Sequence, residues 1–305
     1  MSSYDMKKKD FDNLYNLEKI IKNNKKSFDK DFNKFVHDRY LEMMGIELNS
    51  KKPKTFNEKI NYIKLDKKNY KVRAKLADKI KVKKYVKKKI GEKYLIPEYF
   101  NTKKLTVKQL EKLPNQFVLK ANNGSGTNYI VTDKNNDNLV EICDYLNEML
   151  KIKYGYIWGE IHYNYIKPRI LAEKLLIDKA GNIPDDLKCF CFQSNDGERK
   201  KIIYFERVIE DDRYRIMFDE NWKPLEINSN FKRLDIKIKK PKNYDEIMYV
   251  IDKLSEDFNF VRVDLFLFND NIYFGELTFT PTAGYLKLDE KTDLEWGSYI
   301  GDKFI

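Results

Sequence analysis

Residues 260–280 read FVRVDLFLFNDNIYFGELTFT, and this stretch decides the fold. Its two runs, 260–268 and 272–280, alternate and are rich in β-branched and aromatic residues, so both are predicted to be strands. The three polar residues between them, 269–271, favour a turn and have the length of a hairpin connection. The sequence therefore predicts an antiparallel hairpin in this region.

The predicted hairpin brings two acidic side chains together. If Phe268 pairs with Ile272, Asp264 lies directly opposite Glu276, and their Cβ atoms are about 5 Å apart on one face. Two carboxylates at this distance repel each other unless a proton, a cationic side chain or a metal ion joins them. Their hard oxygen ligands suit Mg²⁺, which commonly uses one or two protein carboxylates together with substrate phosphates.

The alternative is a surface hairpin whose acidic residues are solvated or paired with arginine. In the assumed register, Phe266, Phe268 and Phe274 share the face of the two carboxylates. We therefore expect this face to be largely buried, which argues against incidental surface acids.

Length and composition predict a globular protein of the cytoplasm. The 305 residues suffice for one large domain or two to three packed lobes. No run approaches the ~20 apolar residues that span a bilayer, and residues 1–10 lack the apolar core of a signal peptide. Cys143, Cys189 and Cys191 are odd in number and form no CxxC pair, which predicts free thiols in a reducing compartment.

The net charge of +11 is unevenly distributed. Residues 1–100 hold 28 Lys and Arg against 14 Asp and Glu, whereas the other 205 residues hold 31 against 34. A basic region can attract nucleic acid, an anionic membrane or an anionic polymer substrate. The alternative is a lysine-rich, solvated helical surface, since lysine greatly exceeds arginine here.

Periodicity predicts a mixture of helices and antiparallel strands, which is an α+β pattern. A capping box, Thr55 with Glu58, marks the start of one helix. Helices are predicted at 11–45, 57–65, 78–90, 106–112, 137–151 and 244–258. Besides the hairpin, strands are predicted at 95–100, 116–121, 128–133, 170–177, 187–193, 201–208 and 213–218.

A small glycine-containing loop follows Lys120, at the end of a predicted strand. Glycines at 124 and 126 would let backbone N–H groups approach a phosphate, and the lysine would add positive charge. The loop is neither a Walker A nor a GxGxxG motif, and most such loops are ordinary turns. His37 on a predicted helix and His162 in an aromatic segment are expected to be structural. The sequence also has no GxSxG motif and no zinc-ligand spacing.

The order and spacing of these pieces resemble the ATP-grasp superfamily and, within it, the TupA-like family of teichuronopeptide biosynthesis. The resemblance extends from about residue 55 to residue 297. The segments that show the resemblance are KTFNEKINYIKL at 54–65, ADKIKVKKYV at 77–86, LPNQFVLKANNGSG at 113–126, RILAEKLL at 169–176, DDLKCFCF at 185–192 and VRVDLFLFNDNIYFGELTFTPTAG at 261–284.

The resemblance implies an ATP-grasp fold, in which two α+β lobes clamp ATP. Residues 1–54 would form a basic helical N-terminal extension, and 55–305 the catalytic region. Within that region, the resemblance implies a helical lobe at about 55–115, a glycine-rich-loop lobe at 116–170 and a metal-binding lobe at 171–305.

The resemblance also implies a role for each matching residue. Phosphate contacts would come from Lys79, Lys120 and Lys188, and the mobile flap from Gly124, Ser125 and Gly126. Glu173, Lys174 and Leu176 would hold the adenine, and Asp186 is a candidate for the ribose. Asp264 and Glu276 would bind Mg²⁺ together with Thr278, which stands where the superfamily has asparagine. Arg262 and Lys120 would be catalytic and stabilise negative charge on the reacting groups.

By this resemblance, the chain is expected to be an ATP-dependent carboxylate–amine ligase that uses ATP and Mg²⁺ and forms an amide through an acylphosphate. The carboxylate would belong to a uronic acid of a cell-surface polysaccharide or its precursor, and the partner would be an amine or amino acid. An ATP-grasp phosphotransferase acting on a sugar or alcohol is the alternative. A basic nucleic-acid-binding protein is a more distant one, because the aromatic residues of the second half alternate as core and that half is not basic.

Overall fold

The computed structural model describes residues 9–178, 181, 183–209, 212–227, 232–233 and 238–302. The α-helices are α1 (Lys9–Lys30), α2 (Phe32–Met44), α3 (Phe56–Leu65), α4 (Tyr70–Ala77), α5 (Val82–Lys89), α6 (Val107–Glu111), α7 (Leu139–Met149), α8 (Gly155–Trp158), α9 (Tyr244–Ser255) and α10 (Glu290–Ser298). Short 3₁₀ helices lie at Lys67–Asn69, Glu92–Tyr94, Lys134–Asn136, Ile161–Tyr165 and Pro281–Gly284. The strands are β1 (Glu98–Thr102), β2 (Phe117–Ala121), β3 (Asn128–Val131), β4 (Ile170–Lys174), β5 (Asp185–Gln193), β6 (Arg199–Ile209), β7 (Asp212–Asp219), β8 (Pro224–Leu225), β9 (Lys232–Arg233), β10 (Phe260–Phe268) and β11 (Asn271–Thr278).

The strands form two sheets, which confirms the predicted α+β class. The smaller sheet has the order β1-β4-β2-β3, and all its strand pairs are antiparallel. The larger sheet has the order β11-β10-β5-β6-β7-β8, and β9 pairs in parallel with β7. The smaller sheet takes strands from all three segments of the predicted catalytic region, because β1 and β4 lie on either side of β2 and β3 in the sequence.

The larger sheet is covered by helices on both faces. One face of β10 carries Val263 and Leu265, which are buried in a core that α5 and α9 complete. On the other face, Phe260 packs with Phe56 of α3 and Trp296 of α10. Arg262 and Asp264 follow on this second face of β10. The alternation of side chains along the strand therefore places aromatic core residues and charged residues on the same face.

The N-terminal helices pack onto the rest of the chain. In α1, Asn24 donates hydrogen bonds to the backbone oxygens of Tyr156 and Ile157, at 2.9 and 3.2 Å. In α2, Tyr40 is buried in a cluster that includes Tyr285. Residues 9–44 therefore contribute directly to the core around residues 283–285.

The capping box of α3 is present as predicted. The backbone N–H of Glu58 donates to Thr55 Oγ1, and the backbone N–H of Thr55 donates to Glu58 Oε2. These two bonds satisfy N–H groups that the first helical turn leaves unpaired, so the local sequence fixes where α3 begins.

Two expectations from composition can be compared with the structure. Cys143, Cys189 and Cys191 are buried and form no disulfide, which confirms the free thiols. Within the described residues, every helix is too short or too polar to cross a bilayer.

The terminal hairpin exists, but its turn differs from the prediction. Phe268 pairs with Asn271 rather than Ile272, and only Asn269 and Asp270 form the turn, both with positive φ. This is the backbone of a two-residue primed turn, which matches the twist of hairpin strands. The three-residue turn was therefore wrong by one residue.

The predicted pairing of Asp264 with Glu276 is nevertheless confirmed. A β-bulge at Gly275 shifts the register between Asp264 and Leu265, and this extra residue compensates for the shorter turn. The bulge also changes the position of Phe274, which pairs with Leu265 instead of Phe266 and packs in the core. Phe266 and Phe268 are only half-buried.

Gly275→Ala is expected to destabilise the fold by about 1–3 kcal/mol, because the added Cβ would lie 3.0 Å from the Asp264 backbone oxygen. Chemical denaturation measures this change. Asp270→Gly, in the turn of the same hairpin, is the control and should be neutral or stabilising by less than about 1 kcal/mol, since glycine tolerates its positive φ. Equal destabilisation by both variants would contradict the role given to the bulge.

Candidate functional site

Three adjoining cavities lie around the terminal hairpin, and the central one lies between the two sheets. The central cavity, of about 350 Å³, is lined by side chains of both sheets, including Lys120 and Asp264. The inner cavity, of about 310 Å³, meets it at Ser125, Arg262 and Glu276. The apolar cavity, of about 180 Å³, meets it at Lys120 and at residues of the larger sheet.

A cationic side chain joins the paired carboxylates of the hairpin. Arg262 donates through Nε and Nη2 to the two carboxylate oxygens of Asp264, both at 2.6 Å. Its Nη2 also donates to Glu276 Oε1 at 2.8 Å, and Thr278 Oγ1 donates to the same oxygen at 2.8 Å. The cationic side chain that can join the two carboxylates, one of the three groups expected from the sequence, is therefore Arg262.

Burial strongly affects these charged groups. Burial raises the pKa of Asp264, although Arg262 and Lys188 act in the opposite direction. Burial also acts to raise the pKa of Glu276, but Arg262 and Lys79 outweigh it, so that this pKa is lowered. For Lys188 burial acts to lower the pKa, and the neighbouring carboxylates, Asp264 first, raise it instead. The charged groups of the site thus shift one another's pKa values in a partly dehydrated space.

The donor set fits a hard divalent cation. Asp264, Glu276 and Thr278 offer only oxygen ligands, which Mg²⁺ prefers. Asp186 lines the same cavity and has one buried carboxylate oxygen, Oδ1, without a hydrogen-bond partner in the described part of the chain. Within that part, no cluster of three or more His, Cys, Asp or Glu residues has the arrangement of a metal site. A cation here would therefore need further ligands from substrate or water.

The glycine-containing loop is held by a lysine. Lys79 Nζ donates to the Gly124 backbone oxygen at 2.6 Å, and burial lowers the pKa of Lys79. Gly124 itself lies against Tyr154, whose ring carbon Cδ2 would be 2.9 Å from an added Cβ. Lys79 therefore holds the loop through its backbone, and any larger residue at position 124 would require Tyr154 to move.

A network of ion pairs connects the smaller sheet with α5. Lys120 Nζ lies 2.9 Å from Glu173 Oε2, and Lys83 Nζ lies 2.8 Å from Glu173 Oε1. Lys83 also pairs with Glu98 at 2.8 Å. Burial acts to raise the pKa of Glu173, but Lys120 and Lys83 outweigh it and the pKa is lowered. Glu173 thus orients two lysines at the wall of the central cavity.

The structure brings most of the sequence-predicted residues together. Thr278 lies in the inner cavity, and Lys174 and Leu176 line the apolar cavity. Gly124 lines none of the three but contacts Lys79 through its backbone. The central cavity is lined by Lys79, Lys120, Ser125, Gly126, Glu173, Asp186, Lys188, Arg262, Asp264 and Glu276.

Several residues of the site were not predicted. Lys83 belongs to the lysine network, and Tyr204 lines the central cavity. Glu160, Tyr154 and Tyr163 line the inner cavity. Each of these residues meets the rest of the site only through tertiary contacts between different elements. Nothing in its local sequence therefore distinguishes it from a structural residue.

Comparison with known proteins gives a family and several similar structures. The sequence matches the family described as TupA-like ATPgrasp over residues 58–301. None of the curated proteins matches it significantly. Similar solved structures include N5-carboxyaminoimidazole ribonucleotide synthetase in complex with ADP, at 15% identity over 68% of this chain and 46% of that chain, with a TM-score of 0.41. The D-alanine–D-alanine ligase of Helicobacter pylori is 18% identical over 73% of this chain and 60% of that chain, also with a TM-score of 0.41. The chain thus covers less than two thirds of the length of these proteins.

Glu173→Gln is expected to cost on the order of 2 kcal/mol at pH 7, less than a fully buried pair because both lysines are partly hydrated. Because the pKa of Glu173 is lowered in the folded protein, its ionic contribution is complete above the ordinary value of 4.5 and is lost as the pH falls further. As the pH falls below 4.5, the free energy of unfolding should therefore decrease less for the variant than for wild type. Urea unfolding across this range is the measurement.

Glu98→Gln is the matched control, since it removes another partner of Lys83 at the same 2.8 Å distance but from a more exposed position. Its cost should stay below about 1 kcal/mol. Equal losses for the two variants would contradict the central position assigned to Glu173.

Proposed function

This chain belongs to the TupA-like ATP-grasp family, and we propose that it is an ATP-dependent ligase that joins a carboxylate to an amine. The family match over residues 58–301 agrees with the resemblance found in the sequence and confirms it. The observation that carries the proposal is the convergence of Asp264 and Glu276 on Arg262 at the wall of a cavity rich in lysine.

The cavities suit the parts of ATP. The apolar cavity has Val118, Ile130 and Leu175 in its walls and fits an adenine base. The central cavity offers Lys79 and Lys120 to the phosphates. In this proposal the two α+β lobes clamp the nucleotide between the sheets. Glu173, Lys174 and Leu176 would contact the adenine, and Asp186 would contact the ribose. The remaining phosphate contacts would come from Lys188, Gly124, Ser125 and Gly126.

Asp264 and Glu276, with Thr278, would hold Mg²⁺. When bound, the ion neutralises phosphate charge and keeps the reacting phosphoryl group aligned. Arg262 would remain beside both carboxylates and stabilise negative charge on the reacting centre, and Lys120 would do so from the smaller sheet. These roles require a positively charged cavity wall that excludes water. The buried part of the hairpin and the lysines around Glu173 can supply it.

The reaction would proceed in two steps. An oxygen of the substrate carboxylate attacks the γ-phosphorus of ATP, and the bond from that phosphorus to the ADP oxygen breaks, which leaves an acylphosphate. The amine nitrogen, after its ammonium form has lost one proton, attacks the acyl carbon. The carbon–oxygen bond to phosphate then breaks, and a second proton leaves the nitrogen with the departing phosphate or the solvent. The products are an amide, ADP and phosphate, and no side-chain nucleophile is required.

The family relationship makes a uronic acid of a cell-surface polysaccharide, or its precursor, the proposed carboxylate, and a cytoplasmic amine or amino acid the proposed partner. The basic charge of residues 1–100 is compatible with an anionic substrate. Phosphoryl transfer to a sugar or alcohol would use the same nucleotide site, so the assay must separate the two reactions.

ATP binding by calorimetry, with and without Mg²⁺, tests the nucleotide site. The double variant Asp264→Asn, Glu276→Gln should lose the Mg²⁺-dependent part of the affinity, by at least about tenfold, because the amides cannot neutralise the ion. Asp270→Asn removes an exposed acid from the turn of the same hairpin and should bind as wild type does. Thermal melts exclude unfolding of the variants, and failure of folded wild type to bind ATP would contradict the proposal.

ADP release in the presence of glucuronic or galacturonic acid tests the chemistry. Hydroxylamine, which traps acylphosphates as hydroxamates, should yield a hydroxamate only with ATP and a carboxylate present. Release of ADP with a sugar alcohol, without any carboxylate or amine, would instead support the phosphotransferase.

A further inference from the structure

The inner cavity borders the nucleotide site at Ser125, Arg262, Glu276 and Thr278, and its other lining residues have no role in that site. It lies between α2, the segment 154–163 and the residues after β11, and its volume is about 310 Å³. It opens to the central cavity at Arg262 and Glu276, where the reacting phosphoryl group is proposed to lie. A molecule in the inner cavity could therefore reach an acyl group formed at that boundary.

A buried carboxylate lines this cavity. Glu160 is only 5% exposed, and its Oε1 accepts a hydrogen bond from Thr280 Oγ1 at 2.5 Å. Within the described residues, Glu160 forms no ion pair. Burial raises the pKa of Glu160, although the charges of Lys64 and Arg262 act in the opposite direction. A desolvated carboxylate in the wall of a cavity, without a cation in direct contact, gains a partner when the ligand carries positive charge.

The neighbouring lysine does not fill that role by direct contact. Lys64 is 1% exposed and donates to Asn61 Oδ1 at 3.0 Å, to the Trp158 backbone oxygen at 3.0 Å and to the Tyr285 hydroxyl at 3.1 Å. These three bonds use all the donors of its ammonium group. Lys64 thus influences Glu160 only through space, and its own hydrogen bonds hold the wall of the cavity in place.

Aromatic side chains form much of the remaining wall. Tyr154 and Tyr163 pack edge to face, with ring centroids 5.1 Å apart, and Trp158 and Tyr285 lie beside them. A carboxylate among aromatic rings is the chemistry that binds ammonium groups, since both attract a cation. The same carboxylate would repel an anionic substrate.

We propose that the inner cavity is the amine subsite and binds a cationic primary amine, with Glu160 as its counterion and the tyrosines around its carbon atoms. The inference rests on the proposed ligase function and gives its acceptor a chemical class. It also gives the two substrates separate routes, because Glu160 repels the uronate, which would enter from the central cavity and its lysines. Met43 of α2 lines the amine subsite, so the N-terminal extension takes part in acceptor binding.

Calorimetry on the full chain loaded with ADP and Mg²⁺ tests the subsite directly. The probes are L-alaninamide and butylammonium, and their neutral counterparts are N-acetyl-L-alaninamide and 1-butanol. Wild type should bind the two cations and bind the neutral compounds at least about tenfold more weakly. Glu160→Gln should weaken the cations by about ten- to hundredfold and leave ADP affinity unchanged.

Glu58→Gln is the matched control, because Glu58 is a similarly buried carboxylate, 8% exposed, that caps α3 outside the three cavities. It should bind the probes as wild type does. Equal binding of cations by Glu160→Gln and wild type, or the absence of any cation binding to wild type, would overturn the assignment. Hydroxamate formation without cation binding would leave the ligase function intact and reject only the subsite. Cation binding without carboxylate activation would reject the ligase function, and the cavity would then be a cation site without a role as acceptor subsite.

Discussion

The ion pairs of Arg262 with Asp264 and Glu276 are the contacts on which the rest of the site depends. Two carboxylates can face each other in a buried hairpin only if positive charge lies between them, and the arginine supplies it. The pairing itself requires the bulge at Gly275, because the two-residue turn alone would place Glu276 out of register. One residue without a side chain therefore decides whether the two acids meet.

Strand β10 of the hairpin contributes residues to both the hydrophobic core and the candidate site. One face of β10 begins with Phe260 among aromatic rings and continues to Arg262 and Asp264 in the middle of the strand. The packed aromatic residues hold the strand rigid, and the charged side chains line the central cavity opposite Lys120 and Glu173 of the smaller sheet. Rigid support from packed strands is what keeps polar groups at fixed distances in a partly dehydrated site.

The sequence predicts this arrangement only where the information is local or belongs to a recognised motif. Alternation and turn residues predicted the hairpin, and the pairing of Asp264 with Glu276 was correct because the turn length and the bulge were both missed and offset each other. The predicted position of Phe274 opposite Phe266 was wrong for the same reason, since the bulge pairs Phe274 with Leu265. The contacts of Lys83 with Glu173 and of Glu160 with Thr280 join residues far apart in the chain, and no local pattern encodes them.

The electrostatic layout argues for a mechanism without a histidine base. Burial, together with Arg73 and Lys64, lowers the pKa of His162 to about 3, so this ring stays neutral at physiological pH and cannot buffer proton transfer there. The central cavity instead combines lysines and arginines with carboxylates, and the inner cavity has Glu160 and Glu276 beside Arg262. In the proposed ligase reaction, the lysines of the central cavity would attract an anionic carboxylate, and Glu160 would attract a cationic amine. The two substrates would then meet at Arg262, where bond formation would neutralise both charges and release the product from the groups that bound its precursors.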